Sequence, residues 1–161
     1  MPTSELKIER VRPDSAAATA LMEELDRELA ARYPGAPFHG LRPGEVSDAG
    51  LWFFLANLEG VPIGCGALRR LDPRTGELKR MFVRPPFRGQ GLGRSLLLRI
   101  EREARDAGIR VLRLETGTAQ PEALALYHRA GYERIPVYGE YVGDPNSVCF
   151  EKRFGLPPAA T

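Results

Sequence analysis

The chain has 161 residues, 43% hydrophobic and 27% charged, which suits one domain built around a single buried core. Its 23 Lys and Arg stand against 21 Asp and Glu, and a net charge of +2 is too small for a general nucleic-acid binder. No apolar run reaches the roughly 18 residues that a membrane-spanning helix needs, so neither nucleic acid nor membrane is an expected partner.

The opening residues MPTSELKIERVRP lack the apolar centre of a secretion signal, and a cytoplasmic location is expected. Cys65 and Cys149 stand far apart without metal-ligand spacing, so they read as buried, reduced thiols and no metal is expected. LKIERV alternates like a strand. Asp14 is placed to cap a helix running to about Tyr33, with Leu21, Leu25 and Leu29 on one stripe. Residues 34–50 hold several Gly and Pro and read as a loop or a short helix. LWFFLANLEG and VPIGCGALRRLD form a hairpin turning at Glu59-Gly60, and ELKRMFV follows as another strand, ended by Pro85 and Pro86. From Leu92 the period becomes helical, through Leu96, Ile100 and Ala104 to a stop at Gly108. IRVLRLET is a strand, PEALALYHRA a helix with Pro121 in its first turn, and YERIPVY and NSVCFEKRF are the last strands. The coarse order is βαββββαβαββ, with four strands counted between the first two helices, and a mixed α/β sheet flanked by helices follows. One domain covers 1–161, with 155–161 a frayed tail.

RPPFRGQGLGRSLL places Gly89, Gly91 and Gly93 just before a helix, between Arg88 and Arg94. A triphosphate loop would need Lys-Ser or Lys-Thr after its last glycine, and a dinucleotide fingerprint would need Gly where Arg94 stands. The physics common to both motifs remains. Unpaired backbone N–H groups at a helix N-terminus favour an anion, glycines allow close approach, and arginines add charge. A diphosphate cradle and a plain flexible loop are both open on the glycines alone.

RGQGLG also matches the pattern Arg/Gln-x-x-Gly-x-Gly/Ala, and ELKRMFVRPPFRGQGLGRSLL around it resembles the fourth strand, pyrophosphate loop and third helix of the GNAT superfamily of N-acetyltransferases. Downstream, TAQPEALALYHRAGYERI resembles that family's second signature, N-x-x-A-x-x-L-Y-x-x-x-G-F, with Ala123, Leu126, Tyr127 and Gly131 on pattern. Gln120 departs from the usual Asn and Tyr132 from the usual Phe. The resemblance implies a mostly antiparallel sheet, splayed where acetyl-CoA inserts between the strands ending near Val83 and Glu115. It also implies acetyl transfer from acetyl-CoA, a cosubstrate, to a primary amine without a covalent enzyme intermediate. A small-molecule amine is the expected acceptor, with protein N-termini or lysines as the alternative. A homodimer is open to such a chain, and so is a non-catalytic acyl-CoA-binding module.

That reaction needs a base for the amine, a donor for the carbonyl oxygen and an acid for the leaving thiolate. By resemblance, Met81 and Val83 offer backbone partners to pantetheine. Arg88, Gly89, Gln90, Gly91, Gly93 and Arg94 hold the diphosphate, Ser95 adds a hydroxyl, and Gln120 faces the cofactor arm. Tyr127 occupies the acid position. Glu115, at the end of VLRLE, and Glu77, at the start of ELKRM, are the candidate bases, with a water relay as the alternative. Arg80 and Arg84 are left between ligand and surface roles. His128 points away from Tyr127 on its helix and reads as surface. His39 reads as an ordinary loop histidine, acceptor contact being the other reading. Tyr138, Glu140 and Tyr141 either wall an acceptor pocket or form a plain connection.

Overall fold

The computed structural model describes residues 5–37, 39–40 and 50–155. Its strands are β1 (Leu6–Val11), β2 (Leu51–Leu58), β3 (Val61–Asp72), β4 (Thr75–Val83), β5 (Val111–Gly117), β6 (Glu133–Ile135) and β7 (Ser147–Arg153). Its helices are α1 (Ala16–Arg32), α2 (Leu92–Asp106) and α3 (Pro121–Arg129). The seven strands form one sheet in the order β1-β2-β3-β4-β5-β7-β6. Every adjacent pair is antiparallel except β4 and β5. Among the described residues no helix is long and apolar enough to cross a membrane.

Local chemistry explains most boundaries. Glu59 and Gly60 both take positive φ, 51° and 80°, as the tight turn between β2 and β3 demands. Asp72 Oδ1 accepts from the N–H groups of Arg74 and Thr75 at 2.9 and 2.8 Å, closing the turn into β4. Two expectations are corrected. Ser15, not Asp14, caps α1, accepting from Ala18 N, while Asp14 is held by the Arg12 guanidinium at 2.9 Å. Three strands, not four, lie between α1 and α2 among the described residues, because β3 runs unbroken over Val61–Asp72. Part of the expected 34–50 loop, Phe38 and residues 41–49, lies outside the described residues, as does the tail beyond Gly155.

Alternation along the strands builds two cores. Phe53, Leu55, Cys65, Ala67 and Phe82 face α1 and its Ala18, Leu21 and Leu25. Phe54, Ala56, Ile63, Leu68 and Leu78 face the other way, against Leu96, Leu97 and Ile100 of α2. Both cysteines are buried and free, and burial pushes the Cys65 thiol up to about 12.

The feature that shapes the site is a bulge in β4. Cys65 pairs with Phe82 and Ala67 with Lys79, so Arg80 and Met81 together oppose Gly66. Arg80 takes φ 58°, and a Cβ on Gly66 would lie 2.6 Å from Met81 Sδ. Beyond the bulge β4 leaves β5: their pairing starts at Thr75 with Val111 and ends at Leu78 with Leu114. The two strands then run on separately to Val83 and Gly117, and the sheet opens between them.

Candidate active site

Two cavities lie along this opening. One, of about 740 Å³, is lined by Val83, the glycine loop, Arg94 and α3. The other, of about 250 Å³, is lined by α1, Lys79, His39, Glu115, Tyr141 and Asp144. Met81, Gln120, Ala123 and Tyr127 line both, so the two spaces meet there.

The larger cavity is built mainly from backbone. Gly89 and Gly91 take φ 78° and 80°, conformations that side chains resist, and a Cβ on either would meet nothing within 4 Å. Gly91 is the N-cap of α2 with no side-chain cap, so the first-turn N–H groups of the helix face this loop. Arg94 is exposed there and has no carboxylate partner among the described residues. Open glycines, uncapped amides and an uncommitted arginine fit a diphosphate. Gly93 belongs to the same lining. Ser95 Oγ donates to Gly91 O at 3.1 Å, and Gln90, exposed, reaches back to Pro86 O at 3.4 Å, outside the lining.

Arg88 is placed differently from a simple diphosphate ligand. Its guanidinium pairs with Glu28 at 2.8 Å and its Nε donates to Val83 O at 2.7 Å, while its backbone N–H goes to Pro85 O. It is the last of three arginines that pin α1 to the bulged strand. Arg80 binds Asp26 at 2.7 Å and Arg84 binds Glu24 at 2.6 Å. Arg80 and Arg84, which the sequence left between ligand and surface roles, are therefore clamps, and Arg88, expected at the diphosphate, pairs with α1 in the same way.

The free edge of β4 supplies polar backbone. Arg84 N donates to Ile63 O, so its amide faces β3. By strand alternation the amides of Val83 and Met81 face the opening. The Val83 carbonyl already accepts from Arg88 Nε, which leaves its N–H as the partner for an extended amide chain.

Tyr127 sits where the cavities join. It is 4% exposed, packs edge-on against Tyr132 at 5.8 Å, and its hydroxyl has no hydrogen-bond partner among the described residues. Burial first, and the charge of Glu115 second, hold its phenol protonated well above the ordinary range. Across the opening stands Glu115, whose Oε2 accepts from Ser147 Oγ at 2.6 Å. Burial pushes its carboxyl up to about 7, against smaller lowering effects from Ser147, His39 and Lys79. A carboxylate tuned near neutrality and a protonated phenol in the lining of one cavity have the chemistry of a base and an acid.

Glu77, the other carboxylate proposed from sequence, lies elsewhere. Its side chain is 1% exposed and fully engaged: Tyr138 and Tyr141 donate to Oε2 at 2.7 and 3.1 Å, and Arg69 binds Oε1 at 2.9 Å. It anchors the connection between β6 and β7, including Tyr141, which walls the smaller cavity. Gln120 uses its amide oxygen to accept from Gly117 N at 3.1 Å and from the Tyr33 hydroxyl at 3.3 Å, tying the end of β5 to α1. Sequence reasoning underrated His39, which lines the cavity with Nε2 2.8 Å from Asp144 Oδ2 and its ring edge-on to Tyr141. It also missed Ser147, Asp144, Lys79 and Tyr33. Lys79 and Tyr33 lie in distant segments, and only the connection holding Tyr138, Glu140 and Tyr141, already a candidate acceptor wall, lay near Asp144 and Ser147 in the chain. His128 is exposed.

Comparison with known proteins follows the same lines. The profile of the acetyltransferase (GNAT) family matches residues 17–132. An IAA acetyltransferase of Azospirillum brasilense is 42% identical over 146 residues, covering 90% of this chain and 95% of its own. A Klebsiella pneumoniae protein described as an acyl-CoA N-acyltransferase superposes with a TM-score of 0.79 at 33% identity, over 93% of this chain and 98% of its own. The PaiA N-acetyltransferase of Thermoplasma acidophilum, solved with coenzyme A, shares the fold with a TM-score of 0.71 at 17% identity, over 93% of this chain and 99% of its own.

Proposed function

The chain belongs to the acetyltransferase (GNAT) family, and from that premise we propose that it transfers an acetyl group from acetyl-CoA to the primary amine of a small molecule by direct attack. The observation that carries this reading is that Glu115, whose carboxyl burial pushes up to about 7, and Tyr127, whose phenol has no hydrogen-bond partner among the described residues, line the same cavity.

Acetyl-CoA supplies an activated acetyl thioester. The amides of α2's first turn, Gly89, Gly91 and Arg94 hold its diphosphate, and the Val83 N–H pairs with its amide-rich arm. The Met81 N–H, facing the opening beside Tyr127, donates to the carbonyl oxygen as negative charge builds there. Glu115 takes the proton that the acceptor ammonium must lose before its nitrogen can attack. Tyr127 gives its proton to the sulfur as the carbon–sulfur bond breaks. The proton that the nitrogen sheds on forming the amide restores the phenol through solvent. Ser147 keeps Glu115 aimed while the surrounding burial keeps it basic enough to work near neutrality. The smaller cavity, of about 250 Å³ and lined in part by Tyr33 and Pro37, suits a small acceptor better than a protein tail.

Calorimetric titration with acetyl-CoA, with ATP and NAD as controls, tests the first half. Mass analysis of an amine incubated with protein and acetyl-CoA tests the second. Selective acetyl-CoA binding and an amine heavier by one acetyl group are expected. Absent or unselective binding contradicts the cradle, and binding without acetylated amine contradicts the transfer.

A further inference from the structure

Glu115 serves as a base only where its carboxyl gives up its proton near neutrality, and its burial opposes that. The groups that lower it are therefore decisive. Ser147 Oγ donates to Oε2 at 2.6 Å, and the charges of His39 and then Lys79 lower the carboxyl further, against Asp144, which raises it. Lys79 divides its charge between Glu140 at 3.3 Å and Glu77 at 3.8 Å. Arg80, another cation in the same wall, is bound at 2.7 Å to Asp26, which lines the cavity with it. Burial first holds Tyr33, Tyr127, Tyr141 and Cys149, the other titratable groups that sense Glu115, in their protonated, neutral forms.

His39 reaches Glu115 through a short chain of contacts. Its Nε2 lies 2.8 Å from Asp144 Oδ2, between residues 105 positions apart. The His39 hydrogen bond first, and the Asn146 amide second, hold the Asp144 carboxyl below its ordinary range, so it stays ionised. Asp144 also opens a tight turn, in which Oδ1 accepts from Asn146 N at 2.9 Å and its carbonyl from Ser147 N at 3.2 Å. That turn delivers the Ser147 hydroxyl to Glu115. The far side of the ring is uncommitted: Nδ1 is buried without a hydrogen-bond partner among the described residues, and Glu140 Oε2 stands 4.0 Å away. Tyr141 meets the ring edge-on at 4.9 Å. His39 and Glu115 line the same cavity, so the ring acts on Glu115 by its charge as well as through the turn.

We propose that His39 is a positioning residue for the base. Through Asp144 and Ser147 it holds the Glu115 carboxylate in place, and its charge sets the pH at which Glu115 becomes free to take the acceptor's proton. This rests on the acetyl-transfer reading above and adds the group that regulates its base. His39 belongs to the segment that follows α1, so seating that segment against Asp144 also readies Glu115.

Carbon-13 titration of the Glu115 carboxyl in the full chain, its signal assigned by loss in Glu115→Gln, tests this without turnover. Wild-type Glu115 should titrate near 7, and His39→Gln should raise that midpoint by about one pH unit. At pH 7 the ionised base then falls by about fivefold. Thiol release from acetyl-CoA should fall by the same factor there and return to the wild-type rate by about pH 9, a recovery that a merely structural defect would not show. Ser147→Ala should raise the midpoint as well, and the double variant should raise it by less than the sum, because the two act in one chain. A carboxyl midpoint that moves in this way without thiol release would support this inference and contradict acetyl transfer. An unmoved or lowered midpoint in His39→Gln, or shifts that add in full, would overturn the inference. Thiol release with a Glu115-dependent midpoint would in that case leave acetyl transfer standing.

Discussion

The two cavities that meet at Tyr127 are made by different means. The larger is a backbone structure, formed by a helix N-terminus, two glycines at positive φ and the unpaired edge of a bulged strand. The smaller is a web of side chains from α1, Ala36, Pro37, His39, β4, β5 and the connection before β7, in which His39, Lys79 and Glu115 are each held by a partner from another segment. A backbone site depends on few residue identities and tolerates change around them. A side-chain web depends on many and can be retuned one position at a time. On the proposed reading, the backbone cavity holds the cosubstrate and the side-chain web meets the acceptor.

Substitutions in the two cavities should act differently. The largest effect is expected from Glu115→Gln, which should lower kcat/KM by about 10²- to 10³-fold and leave the calorimetric affinity for acetyl-CoA unchanged. Glu77→Gln should act on the web rather than on the proton: KM for the amine rises while the pH midpoint of the rate stays where it is. On the backbone side, Gly91→Val forces a branched side chain to φ 80° and should weaken acetyl-CoA binding by about 100-fold or more with the helical circular dichroism retained. Tyr127→Phe should cut kcat by about 10- to 100-fold at nearly constant acetyl-CoA affinity. Equal loss of both would remove its acid role.

The smallest effects separate two arginines that look alike in sequence. Arg94→Ala should weaken acetyl-CoA binding by about five- to tenfold and flatten its salt dependence, because that cation is uncommitted. Arg88→Ala should leave affinity nearly unchanged and lower the melting temperature, because it releases the Glu28 clamp on α1. Stability offers a further check on Glu115. Its folded carboxyl holds a proton up to about 7, while an unfolded one sheds it near 4.5, so wild-type stability falls as pH rises through that window. Glu115→Gln should therefore be more stable than wild type at pH 8, by about 3 kcal/mol, and indistinguishable from it at pH 4 in denaturant titrations.

Legibility in the sequence followed the same division. The strand–glycine–helix unit and the Tyr127 helix could be read directly, and the αβ order except for one strand too many before α2, because period, turn residues and motif spacing are local properties. The splay itself rests on the bulge at Arg80 and Met81, whose signal is no more than Gly66 opposite them. Arg88 and Arg94 flank the glycines symmetrically in the chain, and only the position of Glu28 on α1, 60 residues earlier, tells clamp from ligand. Glu77 and Glu115 are equivalent strand-end carboxylates on paper. Two tyrosines and an arginine from elsewhere engage both oxygens of one, while burial, opposed by a lone serine, pushes the carboxyl of the other up to about 7. Such distinctions are tertiary, and residue spacing carries no record of them.

The most direct test of the central claim is the pH dependence of thiol release from acetyl-CoA with a saturating primary amine, measured for wild type and Glu115→Gln. The account predicts a wild-type rate that rises with pH through a midpoint near 7 and a variant that has lost that midpoint along with most of its rate. The same midpoint and rate in both proteins would contradict Glu115 as the base and, with it, the acid–base pair on which the reading stands.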